Sequence, residues 1–491
     1  MNQTTIFDFI YPKYKITKPI RLIELFAGYG SQALALKYLG VKFEHWKICE
    51  WAVKSIQAYK DMHFTDEKEI DIDSTKEQLV ECLFKYGISA NYNEPMTKEQ
   101  ISRLSESQLK TIWNNILITY NLVNIQQVKG KDLEIVDTDK YEYILTYSFP
   151  CQDLSLAGKG KGMADTTTRS GMLWEVERIL NELKELNQLP QILLMENVPQ
   201  VHGSDNVEHF NKWQLALERL GYKSYFQDLI ATDYGIPQTR NRCFMVSILG
   251  DYSYSFPQKI PLKLKLKDLL EDEVDEKYYL SDRQIKDIQS WNAYEKPLEN
   301  MEKIDKTDIS PILTTRSGAY AAGMILVKNA TKKGYLEAYE GDGINISNRM
   351  EYQRGNVQKD KIQTLTTSGG NDRGVCIGTY QYSKSDKFMN GKDRLQIGKD
   401  TSDTLQTTPK EAICYNDLRI RKLSPRECGR LMNVKDEDID KLLKNQSNSS
   451  AYHLFGDSIC TNVLMAIFGE LLDVNWIEKF KETEYKFIDK Q

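Results

Sequence analysis

Short apolar runs alternate with helix-period segments along the first half of the chain. "IRLIELF" (20–26), "FEHWKICE" (43–50), "EYILTYS" (142–148), "QILLMEN" (191–197) and "CFMVSIL" (243–249) have the length and density of buried strands. "SQALALKYLG" (31–40), closed by a glycine, and the amphipathic "MLWEVERILNELKEL" (172–186) predict helices between them. Strand and helix alternating in this way predict an α/β fold with a doubly wound, mostly parallel sheet. Residues 61–130 break the rhythm with a polar, helix-prone stretch, expected as a helical insertion at the sheet edge.

The texture changes near Phe256. Glycine, threonine and charge rise, and one phrase recurs as "PILTTRSGAYAAGMIL" (311–326), "IQTLTTSGGNDRGVCI" (362–377) and "SDTLQTTPKEAICY" (402–415). Aligned on Leu313, Leu365 and Leu405 the spacings are 52 and 40 residues, too irregular for a solenoid, so three related strand-turn-strand units are expected. Helical patterning returns at 423–434 and 462–476. The predicted organisation is a first domain over 1–255, a smaller strand-rich domain inserted at 256–418, and a return segment, 419–491, that completes the first.

Composition narrows the class. With 491 residues, 41% hydrophobic and 27% charged, the chain has the make-up of a soluble globular protein. Its apolar runs fall short of the roughly 20 residues of a membrane helix, and "MNQTTIFDFIYPKYK" lacks a signal-peptide pattern, so a cytoplasmic protein is expected. The eight cysteines form no CxxC pair and the five histidines no HExxH or HxH pattern; free thiols and no bound metal are expected. Net charge is −5, yet 309–431 carries 20 Lys and Arg against 13 Asp and Glu, a basic module consistent with a polyanionic partner.

Candidate chemistry sits at strand ends. "LIELFAGYGS" places Gly28 and Gly30 at a strand-to-helix turn, which suits either an ordinary tight turn or a ligand approaching the backbone. Glu50 follows 20 residues after Gly30, the distance at which such folds set a carboxylate on a ribose diol. A third glycine is missing from Ser31 to Leu36, which favours an adenosine ligand without a pyrophosphate, such as S-adenosylmethionine. Cys151 in "YSFPCQDLSLAGKGKG" is either a packed thiol or a nucleophile. Glu196, in "LLMENV", ends a strand at the same sheet edge; it is a proton donor if desolvation raises its pKa, and otherwise a cap or an ion-pair partner. "DYGIPQTRNRCFMVSI" (233–248) leads Gln238, Arg240 and Arg242 into a strand, with both arginines on one side.

The ordered blocks FAGYGS, PCQ with SLAGKGKG, ENV, QTRNR, RKLSPRECGRLM (421–432) and GDSICTNVLMAIFGEL (456–471) resemble the S-adenosylmethionine-dependent DNA (cytosine-5)-methyltransferases of bacteria and phages, from about Arg21 to Leu472. The resemblance implies a Rossmann-like methyltransferase domain and an inserted target-recognition domain. It implies that the Cys151 thiolate adds to C6 of a flipped cytosine, that Glu196 holds and protonates N3, and that Arg242 contacts the base with Arg240 and Gln238 in support. S-adenosylmethionine contacts carry over to Phe26, Ala27, Gly28, Tyr29, Gly30, Glu50, Trp51, Asp132, Leu133, Pro150, Leu173 and Ser458. The loop after the cysteine, with Gln152, Ser155, Lys159, Lys161 and Arg169, would close on double-stranded DNA. Arg316, Arg349, Arg354 and Arg373 are DNA-contact candidates in the inserted domain. One departure is Asp457, where the family commonly has asparagine. A monomer, with a separate restriction endonuclease as a possible partner, is expected. Methylation of transfer RNA and a catalytically silent DNA-binding regulator are the alternatives; the size of the inserted region and the intact Cys151, Glu196 and arginine pair favour the DNA enzyme.

Overall fold

A computed structural model describes residues 11–149, 170–281, 325–332, 334–339, 341–347, 353–366, 373–381 and 415–488. The chain divides into two compact units, one of 1–271, 363–370 and 424–491, the other of 272–362 and 371–423.

The first unit is built on a six-stranded sheet in the order β2-β1-β3-β4-β6-β5. Its strands are β1 (Ile20–Leu25), β2 (Phe43–Cys49), β3 (Glu142–Tyr147), β4 (Ile192–Asn197), β5 (Tyr222–Ile230) and β6 (Asn241–Leu249). β1 runs parallel to β2 and β3, and β3 parallel to β4, while β6 is antiparallel to both β4 and β5. Every residue of β1, β3 and β4 is buried, as the continuous apolar runs require of strands covered on both faces. β5 was not apparent as an apolar run: "YKSYFQD" lies at the sheet edge with much of its surface exposed. The reversal at β6 follows from the connection, since residues 231–240 hold only a short 3-10 turn, too little chain for a crossover.

Helices α1 (Ser31–Tyr38), α2 (Val53–His63), α6 (Leu173–Glu185) and α7 (Val207–Leu220) cover the sheet, α6 burying Val176, Ile179, Leu180 and Leu183 at helical spacing. Between α2 and β3 the expected insertion forms α3 (Lys76–Tyr86), α4 (Lys98–Ser102) and α5 (Glu106–Ile118). Each begins with a capping box, Thr75 with Gln78, Thr97 with Gln100 and Ser105 with Gln108. These helices share a core of their own with α2, in which Ile56, Leu79, Leu83, Ile101 and Leu109 meet. In the return segment, Asn448–Leu472 has the length and hydropathy of a membrane span, but 89% of that window is buried inside the protein and the helix breaks between Asp457 and Thr461.

The second unit contains a four-stranded antiparallel sheet and a separate hairpin, Ile325–Lys328 with Tyr335–Ala338. Val327, Ala338, Ile344, Cys376 and Ile420 form its core. Of the three threonine-rich phrases, residues 311–324 and 402–414 lie outside the described residues. In the middle phrase, 363–366 forms no strand and belongs to the first unit; the strand is Arg373–Gln381.

Candidate active site

The turn after β1 is shaped by what stands behind it. Phe26 takes a left-handed backbone, φ 59°, followed by Gly28 at φ 55° and Gly30 at φ 83°. A Cβ on Gly30 would lie 2.4 Å from His63 Nε2 and 2.7 Å from the Tyr59 ring, so α2 packs directly against the turn. His63 Nε2–H donates to the Tyr29 carbonyl at 2.9 Å. At Gly28 the opposite holds: a Cβ would meet nothing within 4 Å.

Glu50, just past β2, is buried and accepts from Gly28 N–H at 2.9 Å and Ala52 N–H at 2.8 Å. Burial pushes its carboxyl up to about 7, against the pull of those backbone donors. The Glu50 backbone is itself clamped by Asn121 from the end of the insertion: Asn121 Oδ1 accepts from Glu50 N–H at 3.0 Å and Nδ2 donates to Glu50 O at 2.9 Å.

Glu196, at the end of β4, is 6% exposed, and Arg242 Nε reaches its Oε1 at 3.1 Å. Burial raises its pKa, while Arg242 and Arg240 pull it down. Arg240 is buried, which lowers its own pKa to about 10; it donates to the carbonyls of Leu365 and Ser458. Its Nε is buried with no hydrogen-bond partner. Gln238 is wholly buried and spends its amide on Leu431 O, at 2.8 Å.

One cavity of about 290 Å³ joins these parts. Phe26, Ala27, Gly28, Tyr29, Glu50, Trp51, Glu196, Arg240, Arg242 and Ser458 line it, as do Asn197 and Asp457. Gly30, Asp132, Leu133, Leu173 and Gln238 do not. Asp132 accepts from Lys129 N–H at 2.9 Å, Leu133 and Leu173 are buried in the core, and the wall near the insertion is formed by Val123, Asn124, Ile125 and Gln126 instead. Asp457 stands half exposed at the cavity, its Oδ2 3.2 Å from His453 Nε2. Cys151, Pro150, Gln152, Ser155, Lys159, Lys161, Arg169, Arg316 and Arg349 lie outside the described residues. Arg354 is exposed with Nε on Ala330 O at 3.3 Å, and Arg373 Nη1 donates to Asn345 Oδ1 at 3.2 Å, both within the second unit. His202, Asp228 and Cys243 bring possible ligand atoms within 4.8 Å of one another, but none of them lines the cavity.

The cavity suits an adenosine carrying an amino-acid tail. Phe26, Trp51, Ile125 and Leu454 give it flat and apolar walls, Glu50 offers a carboxylate, and Gly28 leaves open space where any other side chain would intrude.

The family model for "C-5 cytosine-specific DNA methylase" matches residues 105–473. The chain belongs to this family. It is a DNA (cytosine-5) methyltransferase. It is 30% identical over 456 residues to type II methyltransferase M2.ScrFI of Lactococcus lactis subsp. cremoris, covering 92% of this chain and 99% of that protein. It is 31% identical to orphan methyltransferase M.SssI of Spiroplasma monobiae, covering 83% and 96%. Among solved structures, Entamoeba histolytica methyltransferase EhMeth shares the fold at a TM-score of 0.52 and 12% identity, covering 93% of this chain and 99% of that one. Several residues that shape this methyltransferase's cavity carried no sequence signal of their own. Asn121 and Tyr92 sit in what reads as a helical insertion. Glu24, buried in β1 beneath the glycine turn and bound to Tyr59 OH at 2.6 Å, looks like one polar residue in an apolar run.

Proposed function

We propose that this enzyme transfers a methyl group from S-adenosylmethionine to C5 of a cytosine flipped out of a specific double-stranded DNA sequence, through a covalent bond between Cys151 and C6. The observation that carries the reading is Glu196: a buried carboxyl with a raised pKa, paired with Arg242, on the wall of the cavity that Glu50 and the glycine turn also line.

Cytosine C5 is a weak nucleophile until a group adds at C6. In this reading the Cys151 thiolate forms the C6–S bond while Glu196 delivers its proton to N3, leaving C5 electron-rich. Bound S-adenosylmethionine supplies an electrophilic methyl on a sulfonium, held by the turn from Phe26 to Tyr29, by Glu50 and Trp51, and by Ser458. Once C5 has taken the methyl group, loss of the C5 proton to water and return of the N3 proton to Glu196 re-form the C5–C6 double bond, expel the thiolate and return Cys151 free. Arg242 holds the base beside Glu196, and Arg240 supports that edge through the Ser458 carbonyl. The loop after Cys151 closes over the DNA, and the inserted region, with the basic stretch 309–431, reads the target. The relatives are named as type II and orphan methyltransferases of bacteria and phages, which supports a cytoplasmic enzyme acting on cellular or phage DNA, with or without an endonuclease partner.

Trapping tests the reading. A duplex carrying 5-fluorocytosine in a methylated site, with S-adenosylmethionine, is expected to form a denaturation-resistant complex with the enzyme and none with Cys151→Ala. Absence of the complex with the unmodified enzyme, under conditions where it methylates ordinary DNA, would refute the covalent route. Bisulfite sequencing of DNA from expressing cells gives the target sequence.

A further inference from the structure

We infer that the inserted segment between α2 and β3 is part of the cofactor site: Tyr92 closes the cavity over S-adenosylmethionine and donates its hydroxyl to a polar atom of the bound molecule. The inference rests on the proposed use of this cavity and adds a residue that the catalytic blocks do not contain.

Four observations converge on Tyr92. It lines the cavity, with its neighbour Asn93, although both lie in the inserted segment, between α3 and α4. Its backbone is left-handed, φ 63°, an arrangement unfavourable for a tyrosine that persists only when the surroundings impose it. Its ring packs on that of His453, with centroids 4.0 Å apart, so the insertion meets the return segment at the cavity wall. Finally, its hydroxyl is buried and no hydrogen bond of good geometry satisfies it, Ser55 being the side chain close enough to bond to it weakly.

The surroundings do impose the conformation. Ser89 bridges the loop to the end of β2, its N–H donating to Trp51 O at 2.8 Å and its carbonyl accepting from Val53 N–H at 2.9 Å. Ser89 Oγ donates to Glu94 O at 2.7 Å, and Asn91 Oδ1 accepts from the N–H groups of Asn93 and Glu94 at 3.0 and 3.2 Å. The loop is therefore pinned on both sides of Tyr92, and the ring is delivered to the cavity by a rigid frame rather than by chance exposure. A buried hydroxyl without a well-formed hydrogen bond destabilises the free protein, and a ligand atom that accepts from it removes that penalty on binding. Phenylalanine would serve packing on His453 equally well; only binding gives the hydroxyl a purpose.

The test compares wild type with Tyr92→Phe and Tyr92→Ala, full-length, by calorimetric titration with S-adenosylmethionine and by thermal melting without ligand. Tyr92→Phe is expected to raise Kd about 3- to 10-fold, the worth of one neutral hydrogen bond, with no fall in the melting temperature of the free protein. Tyr92→Ala is expected to raise Kd further. An unchanged Kd in Tyr92→Phe, with the wild type binding normally, would overturn the role of the hydroxyl. Normal binding by Tyr92→Ala would overturn the part of the loop between α3 and α4 in the cofactor site altogether. Failure of the wild type to bind S-adenosylmethionine would instead overturn the assignment of the cavity.

Discussion

Arg242 Nε lies 3.1 Å from Glu196 Oε1, so a buried acid at the end of β4 is held by a cation from the neighbouring antiparallel strand. Two opposed influences meet on that carboxyl, burial raising its pKa and the guanidinium lowering it. If Glu196 delivers a proton to cytosine N3, Glu196→Gln should slow single-turnover methylation by about 10²-fold or more, the usual scale of acid-base assistance. DNA affinity, measured by fluorescence anisotropy, should stay within about 2-fold, because phosphate contacts elsewhere dominate it. Equal losses in rate and affinity would give Glu196 a binding role instead.

Arg242→Met removes the charge but keeps a long side chain. Without the cation, the Glu196 pKa moves further up, so the carboxyl stays protonated to higher pH. The rate, which falls as pH rises through that pKa in the proposed reaction, should fall at a higher pH in the variant and start from a lower plateau. A pH profile of single-turnover methylation shows the direction; a shift to lower pH would contradict the pairing.

Gly28 and Gly30 are separated by one residue, yet their substitutions should differ in kind. Gly30→Ala forces a Cβ to within 2.4 Å of His63 Nε2 and 2.7 Å of the Tyr59 ring, so the unliganded melting temperature should drop, with a loss of about 2 kcal/mol or more from strain and overpacking. Gly28→Ala meets no neighbour and bears only the left-handed backbone cost of about 1 kcal/mol. Its larger effect should be on S-adenosylmethionine affinity, read by titration calorimetry.

His63 should make folding sensitive to acid. Burial lowers its pKa to about 4 from an ordinary 6.5. Between those values the unfolded chain takes up a proton that the native protein refuses, so this contribution to stability is intact above pH 6.5 and is lost as pH falls toward 4. His63→Gln keeps a donor for the Tyr29 carbonyl and abolishes the titration. Urea melts at pH 7 and pH 4.5 should show a smaller loss of stability in the variant, by up to about 1.4 kcal/mol per pH unit across the window.

The sheet was legible where strands are buried on both faces. "RLIEL" and "ILLME" admit little else, and the carboxylates at 50 and 196 were readable as strand-end residues because the runs before them end there. β5 was hidden because an edge strand shows water a polar side, and "YKSYFQDLI" has no apolar block. Strand direction is not encoded in hydrophobicity at all; the reversal of β6 follows from the length of 231–240. At the cavity, Asp132 is named by the resemblance alone, and its carboxylate caps a 3-10 turn at Lys129. Gln238 had suitable neighbours, but its amide binds Leu431 in the core. Tyr92 was invisible for a third reason: a tyrosine at positive φ is chosen by its tertiary frame, and no local pattern announces it.

Leu365 belongs to the threonine-rich phrase of the inserted region, yet its N–H donates to Gln238 Oε1 at 3.3 Å and its carbonyl accepts from Arg240 Nη1 at 3.2 Å. Thr364 Oγ1 adds a bond to Thr239 O at 3.3 Å. A gene fusion that exchanged 272–423 as one cassette, to borrow another enzyme's DNA specificity, would therefore remove a clasp from the catalytic scaffold. Chimeras that retain the host's 363–366 and graft the flanking stretches separately should keep the scaffold's melting temperature, whereas whole-cassette chimeras should lose part of it even where the borrowed stretch folds well.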